Sequence, residues 1–119
     1  MVNALKENVH LRHDTALRAV SYIDPAAVLE GEPRERANIF FNENGVTIGV
    51  WACEPYSEFF DKRTSWELCR IISGRCSLTD QEGMEAEFKA GDSFVVPKGF
   101  SGVFKVHEPY VMHFMTANT

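Results

Sequence analysis

One short apolar segment, residues 66–73, carries the side chains whose types and spacing could support chemistry. Alternation along a strand places Glu67, Cys69 and Ile71 on one face. A carboxylate there could act as a general acid or base, and a thiol could act as a nucleophile. No histidine lies near Cys69 in the sequence to activate it, which favours an inert thiol. Glu67 is the better candidate, because a carboxylate facing an apolar interior must be paired, protonated or metal-bound.

The other metal-binding residue types are poorly placed to form a site. His10 and His13 have a helical i, i+3 spacing that could hold a metal, but two ligands without a third predict surface histidines. Cys53, Cys69 and Cys76 lie in separate apolar runs, too far apart for one loop to hold zinc. We expect reduced, buried cysteines and no structural disulfide.

The composition limits the classes of protein to which this chain can belong. At 119 residues, 45% hydrophobic and 24% charged, it has the size and balance of one globular domain. A formal net charge of -5, with 12 basic residues interleaved among 17 acidic ones, argues against a nucleic-acid partner. No apolar run has the length of a membrane span, and the first residues lack a signal-peptide pattern. We therefore expect a cytoplasmic protein with no membrane partner.

Short strands are the elements that must position Glu67. Mixed charge and weak periodicity predict an N-terminal arm over 1–18, followed by a single domain over 19–119. Asp24 as N-cap, Pro25 and Gly31 predict one short helix, and residues 32–36 are predicted to be a solvated connector. From residue 38 onward, short apolar runs between turn residues predict an all-β jelly roll. The predicted strands are 38–42, 46–54, 56–61, 66–73, 75–80, 84–89, 93–97, 101–106 and 110–116.

Two segments resemble the two sequence motifs of the cupin superfamily. They are Trp66-Glu67-Leu68-Cys69-Arg70-Ile71-Ile72-Ser73-Gly74 and Gly91-Asp92-Ser93-Phe94-Val95-Val96-Pro97-Lys98-Gly99-Phe100-Ser101-Gly102. With Gly49-Val50-Trp51, they are similar to the small single-domain, RmlC-like cupins grouped with the ureidoglycine aminohydrolase cupin domain. The resemblance implies a double-stranded β-helix, a small barrel with a ligand cavity inside, assembled as a dimer. It implies no single reaction, because cupins include enzymes of several classes and binding proteins.

The resemblance also implies a metal site, most of whose ligands are missing here. Metal-binding cupins use two histidines and the glutamate of the first motif and one histidine of the second. Those histidine positions hold Phe60 and Lys62, or Asp61 and Arg63 in the alternative spacing, and Gly102. Glu67 alone remains, with His107 and His113 as alternative ligands from the last strands. Since one carboxylate does not hold a transition metal, we expect no cofactor, although a divalent metal stays open.

A cation stands where the second histidine of the first motif would be. We predict that Lys62 or Arg63 pairs with Glu67 inside the barrel in place of a metal, and a purely structural ion pair is the alternative. Glu67 is then the candidate acid or base for isomerisation or proton abstraction. The residues predicted to line the cavity are Lys62, Arg63, Glu67, Phe94, Val96, Phe104 and His113.

The opposite face of the same strand carries Trp66, Leu68 and Ile72. This apolar row must be covered by the N-terminal segment or by a partner subunit, so we expect a homodimer. The preferred function is metal-independent binding of a small polar metabolite, with isomerase or lyase chemistry as its enzymatic form. The alternatives are a metal-dependent hydrolase similar to ureidoglycine aminohydrolase and a non-catalytic sensor or binding module.

Overall fold

Antiparallel strands are the main secondary structure of the described residues. The computed structural model describes residues 9–14 and 16–118. Its strands are Arg18–Ala19 (β1), Val28–Gly31 (β2), Arg36–Glu43 (β3), Val46–Cys53 (β4), Tyr56–Phe60 (β5), Trp66–Ser73 (β6), Arg75–Asp80 (β7), Glu85–Lys89 (β8), Ser93–Val96 (β9), Gly102–Val106 (β10) and Tyr110–Ala117 (β11). From residue 38 onward, the predicted strands are confirmed to within a few residues at each end.

The strands form two antiparallel sheets. One sheet has the order β1-β3-β4-β11-β6-β9, and the other has the order β2-β5-β10-β7-β8. Their inner faces share one core, to which Trp51 and Cys69 contribute from the first sheet and Phe104 from the second. This confirms the predicted all-β jelly roll. The described part of the chain has no helix long and apolar enough to cross a membrane.

The helix predicted between Asp24 and Gly31 is wrong beyond its first turn. Asp24 accepts a hydrogen bond from the backbone N–H of Ala26, and Pro25 begins a 3-10 helix that ends at Ala27. The next residues are β2, whose backbone groups pair with β5. Sheet pairing therefore outweighs the helical start signal, because every backbone donor and acceptor in this segment needs a partner.

Residues 32–36 were predicted to form a solvated connector, but Glu35 near the end of this segment is buried. Glu35 is only 7% exposed, and Arg36 is the first residue of β3. The Glu35 carboxylate accepts hydrogen bonds from the indole Nε1–H of Trp51 (3.0 Å) and the backbone N–H of Ile23 (2.9 Å). Glu35 therefore connects the segment around Ile23 to Trp51 in the core.

N-terminal residues cover part of the outer face of the first sheet. The Nε2–H of His113 donates to the carbonyl oxygen of Leu11 (3.0 Å), and the His13 ring lies 5.9 Å from the His113 ring. The side-chain amide of Asn38 donates to the carbonyl oxygen of Ala16 (3.3 Å). Residues 1–8 of the predicted arm lie outside the described residues.

A second part of this outer face is apolar and open. Strand pairing places one row of side chains in register across five strands: Phe41, Ile48, Met115, Leu68 and Val95. Leu68 is 42% exposed, Val95 is 53% exposed, and the neighbouring Trp66 is 45% exposed. We call these six residues the outer apolar row. As predicted, Trp66 and Leu68 point away from the core.

Candidate functional site

A cavity of about 490 Å³ lies between the inner faces of the two sheets. Strands β6 and β9 contribute Glu67, Cys69, Phe94 and Val96 to its wall, and β10 contributes Phe104. Alternation explains this set, because side chains two apart on a strand share one face. The structure thus brings together four of the residues predicted to line a cavity, namely Glu67, Phe94, Val96 and Phe104.

His113 does not line the cavity, which corrects the prediction. Its neighbours on β11, Met112 and Phe114, face the cavity, so His113 must face the other side of the sheet. There it is held by Leu11 and His13, as described above. The other candidate ligand, His107, also lies outside the cavity and shares a hydrogen bond with the hydroxyl of Ser77 (3.0 Å).

Glu67 pairs with Arg63. The guanidinium Nη2 lies 2.5 Å from Glu67 Oε1, and the two side chains are 26% and 13% exposed respectively. The Arg63 Cζ atom also lies 4.4 Å from the centroid of the Phe60 ring, a favourable cation–π position. The cation–carboxylate pair expected from the motif spacing is therefore present, with Arg63 as the cation.

The backbone around Arg63 is fixed by the loop that precedes β10. The Arg63 N–H donates to the carbonyl oxygen of Phe100 (2.9 Å), and the Gly99 N–H donates to the carbonyl oxygen of Arg63 (2.7 Å). Lys62 has a φ of 47°, its N–H donates to the Ser101 hydroxyl (2.9 Å), and it is exposed. The prediction that Lys62 lines the cavity is therefore wrong. After this left-handed turn, the next side chain, Arg63, is the one that lines the cavity wall.

Burial governs the ionisation of both inward groups on β6. It raises the pKa of the Glu67 carboxyl group, while the Arg63 charge and a hydrogen bond with Cys69 oppose the rise. Burial also raises the pKa of the Cys69 thiol far above its ordinary value, and Glu67 adds to this effect. The thiol stays protonated at neutral pH, so Cys69 is not an activated nucleophile.

Three carboxyl residues that were not predicted to line the cavity also do so, namely Asp24, Glu35 and Glu58. Glu35 lines the cavity and accepts hydrogen bonds from Trp51 and Ile23. Glu58 on β5 accepts a hydrogen bond from the hydroxyl of Tyr56 (2.6 Å). Alternation in β5 could have identified Glu58, because Tyr56, Glu58 and Phe60 share one face of that strand. No feature of the local sequence predicts Glu35 as a cavity residue, because it precedes β3 and its partner Trp51 lies on β4.

Burial raises the pKa of Glu58, while the Tyr56 hydroxyl and the Arg63 charge lower it less. The stability contributed by this group is full below the ordinary value of 4.5 and is lost as the pH rises through the raised pKa. We therefore expect Glu58→Gln to raise the free energy of unfolding at neutral pH, with little difference from wild type at pH 4. Urea denaturation at several pH values measures this, with Glu85→Gln on exposed β8 as control. A Glu58→Gln effect independent of pH would contradict the assignment.

Residues 42–114 match the sequence profile of the EutQ-like cupin domain. The chain belongs to this cupin family. No curated protein matches this cupin. A DUF861-family protein of unknown function from Pseudomonas syringae shares its fold at a TM-score of 0.83 and 24% identity. That match covers 90% of this chain but only 46% of the other, so this cupin spans less than half the length of that relative.

Two further solved structures are similar to this cupin over most of both chains. A putative ethanolamine utilization protein Q from Salmonella typhimurium has a TM-score of 0.64 and 16% identity, over 87% of this chain and 94% of the other. An RmlC-like cupin from Shewanella frigidimarina has a TM-score of 0.67 and 10% identity, over 95% and 92% respectively. Together these confirm the cupin fold.

The residues of this cupin do not fit the metal that many cupins bind. Phe60 is buried against Phe104, Asp61 is exposed, and Glu67 is already paired with Arg63. Gly102 has no room for a histidine, since an added Cβ would overlap the carbonyl oxygen of Thr79 and the Phe100 ring. Among the described residues, no group of three His, Cys, Asp or Glu side chains could hold a metal ion.

Proposed function

We propose that this cupin binds a small polar metabolite in the cavity between its sheets, without a metal ion. The Arg63–Glu67 pair supports this proposal most directly, because its two residues stand at sequence positions that correspond to two metal ligands of the first cupin motif. Aromatic and aliphatic side chains make up most of the remaining wall, as is typical of small-molecule sites with a few polar groups. The pair then forms the polar end of a mostly apolar cavity.

Turnover in this cavity would take the form of proton transfer, as in isomerases and lyases. A carboxyl group poised for that role needs a pKa above its ordinary value and no competing ion pair. Glu58 meets both conditions better than Glu67, because Tyr56 is its hydrogen-bond partner whereas Glu67 is held by Arg63. We therefore assign the acid or base to Glu58 and the positioning of a polar ligand group to Arg63 and Glu67.

Blocking the cavity tests the binding proposal. Thr47 is half-buried and lines the cavity, so Thr47→Trp should fill part of it. Compounds found by a thermal-shift screen of small polar metabolites should lose their effect on this variant. Thr79→Trp, at a half-buried position that does not line the cavity, is the matched control. Compounds that stabilise wild type and Thr47→Trp equally would place binding elsewhere and refute the proposal.

Elemental analysis distinguishes this function from a metal-dependent hydrolase similar to ureidoglycine aminohydrolase. Protein purified without chelator should contain well under one equivalent of manganese, iron, nickel or zinc, because Glu67 is the only member of the usual ligand set. Treatment with a chelator should leave the unfolding temperature unchanged. Near-stoichiometric metal that is lost in Glu67→Gln would instead support the hydrolase.

We also propose that the outer apolar row forms the interface between two copies of the chain. This apolar strip crosses five strands and is exposed at Trp66, Leu68 and Val95, so it needs a cover, and a two-fold axis lets the same strip cover itself. Light scattering should give a dimeric mass at micromolar concentration for wild type and a monomeric mass for Leu68→Glu. Thr79→Glu, on the other sheet, should stay dimeric. A monomeric wild type would refute the interface.

A further inference from the structure

The cavity wall carries more carboxyl groups than cations. Its ionisable acidic residues are Asp24, Glu35, Glu58 and Glu67, whereas Arg63 is the only basic residue among the described ones that line it. The Arg63 Nη2 atom lies 2.5 Å from Glu67, and the guanidinium lies over the Phe60 ring, while its buried Nε–H has no hydrogen-bond partner among the described residues. An anionic ligand would therefore share this one cation with Glu67 while facing the other carboxyl groups.

Two of these carboxyl groups have only neutral hydrogen-bond donors. Glu35 accepts from the Trp51 indole and from the Ile23 backbone, and Glu58 accepts from the Tyr56 hydroxyl. Neither makes a salt bridge with another residue that the structure describes. Desolvation raises the pKa of Glu58 more than the Tyr56 hydroxyl and the Arg63 charge lower it, so the cost of burying its charge is only partly compensated. A positive charge placed beside Glu58 would supply the rest of the compensation.

Aromatic rings join these two carboxyl groups into one continuous wall. Trp51, which donates to Glu35, lies 6.4 Å from Tyr56, which donates to Glu58. The Phe104 ring lies 6.5 Å from Trp51 and 6.1 Å from Tyr56. Aromatic faces attract cations through their quadrupoles and also bury apolar groups. We call Glu35, Trp51, Tyr56, Glu58 and Phe104 the carboxyl–aromatic wall.

We propose that the cavity selects a small organic cation, an amine or ammonium compound with an apolar body, whose charge lies against the carboxyl–aromatic wall. This inference rests on the proposed function and names its ligand class. The aromatic rings would contact the apolar body, and Glu35 and Glu58 would offset the charge. The Arg63 guanidinium would repel the charge of the ligand, which favours an orientation with that charge directed away from it.

Three probes of nearly the same shape test the charge preference: benzylamine, benzyl alcohol and benzoate. The readout is the indole N–H signal of Trp51 in nitrogen-proton NMR, assigned by its persistence in Trp66→Phe, since the chain has 2 tryptophans. We expect benzylamine to bind about tenfold more tightly than benzyl alcohol, and benzoate to bind most weakly. Such a tenfold ratio corresponds to about 1.4 kcal/mol.

Substitution of Glu58 separates the effect of its charge on binding from the effect of the cavity shape. Glu58→Gln keeps an acceptor for the Tyr56 hydroxyl, so it should fold, and it should weaken benzylamine about tenfold while leaving benzyl alcohol unchanged. Glu85→Gln on exposed β8 should bind all three probes as wild type does.

The outcomes separate this inference from the proposed function. Benzyl alcohol or benzoate binding as tightly as benzylamine would overturn the cation preference and leave the cavity as a binding site. Equal weakening of all three probes in Glu58→Gln would overturn the role of that charge. If no probe moves the Trp51 signal at millimolar concentration, the ligand class fails, and the thermal-shift comparison of wild type with Thr47→Trp decides whether the binding function fails with it.

Discussion

Arg63→Met is expected to lower the free energy of unfolding by about 3 kcal/mol at neutral pH. Removing one member of a buried ion pair typically costs about 3–5 kcal/mol, because the other charge is left without compensation. The lower end applies here because Arg63 is 26% exposed, so that water partly screens the pair. Methionine keeps much of the side-chain volume over Phe60, which separates the loss of charge from the loss of packing.

The double variant Arg63→Met, Glu67→Leu should recover most of that loss and come within about 1 kcal/mol of wild type. Replacing both charges with apolar groups of similar size is often neutral, since the desolvation cost of the pair disappears with its attraction. Urea denaturation of the two single variants and the double variant measures the coupling. If the double variant is as unstable as the sum of both single variants, the pair is not an energetic unit.

The pH dependence of Arg63→Met gives an independent check. Arg63 is what opposes the burial-driven rise in the pKa of Glu67, so its removal should raise that pKa further. A carboxyl group with a raised folded-state pKa contributes its stability below the ordinary value of 4.5 and loses it as the pH rises through the raised value. The cost of Arg63→Met should therefore be small at pH 4 and full at pH 8. A cost that is constant with pH would point to lost packing instead.

The ligand measurements then decide between a functional and a structural pair. If the pair contacts the ligand, the double variant should keep its fold and lose binding of the compounds that the cavity accepts. If the pair is purely structural, only stability should change. This separates the two alternatives that the motif spacing alone left open.

The position of Glu67 was predictable from sequence because β6 has one apolar inner face and one outer face, so period-two alternation has a single solution. The choice between Lys62 and Arg63 was not, because both lie in a turn without periodicity. There the left-handed backbone of Lys62 decides which side chain points inward. A positive φ at a lysine is uncommon and leaves no signature in the sequence.

The prediction for His113 failed because alternation alone does not say which face of β11 is the inner one. Both faces of β11 carry partly buried residues, because N-terminal residues cover the outer face near His113. The inner and outer sides of such a strand look alike in sequence, and shifting the register by one residue exchanges them. Glu35 could not be found for a different reason, since its role depends on Trp51, which pairing of β3 with β4 brings close.

Glu35→Leu is expected to lower the free energy of unfolding by about 3 kcal/mol. The substitution leaves two donors, the Trp51 indole N–H and the Ile23 backbone N–H, without partners in a site that is 7% exposed at Glu35. An unsatisfied buried donor costs about 1–3 kcal/mol, so the two together give an effect of this size even if water reaches one of them. Glu35→Gln should cost roughly half as much, because its single carbonyl oxygen can serve one of the two donors.

A double-mutant cycle with Trp51→Phe isolates the indole bond. Phenylalanine removes that donor, so Glu35→Leu should cost about 1–2 kcal/mol less in the Trp51→Phe background than in wild type. Amide hydrogen exchange then tests whether the rest of the cost comes from the Ile23 hydrogen bond. Glu35→Leu should speed exchange at Ile23 far more than at Val50 in the middle of β4. Tyr22 and Asp24, on either side of Ile23, line the cavity, so release of Ile23 should also weaken ligand binding. Strictly additive costs in the cycle, with no change in exchange at Ile23, would show that Glu35 does not tie this segment to the cavity wall.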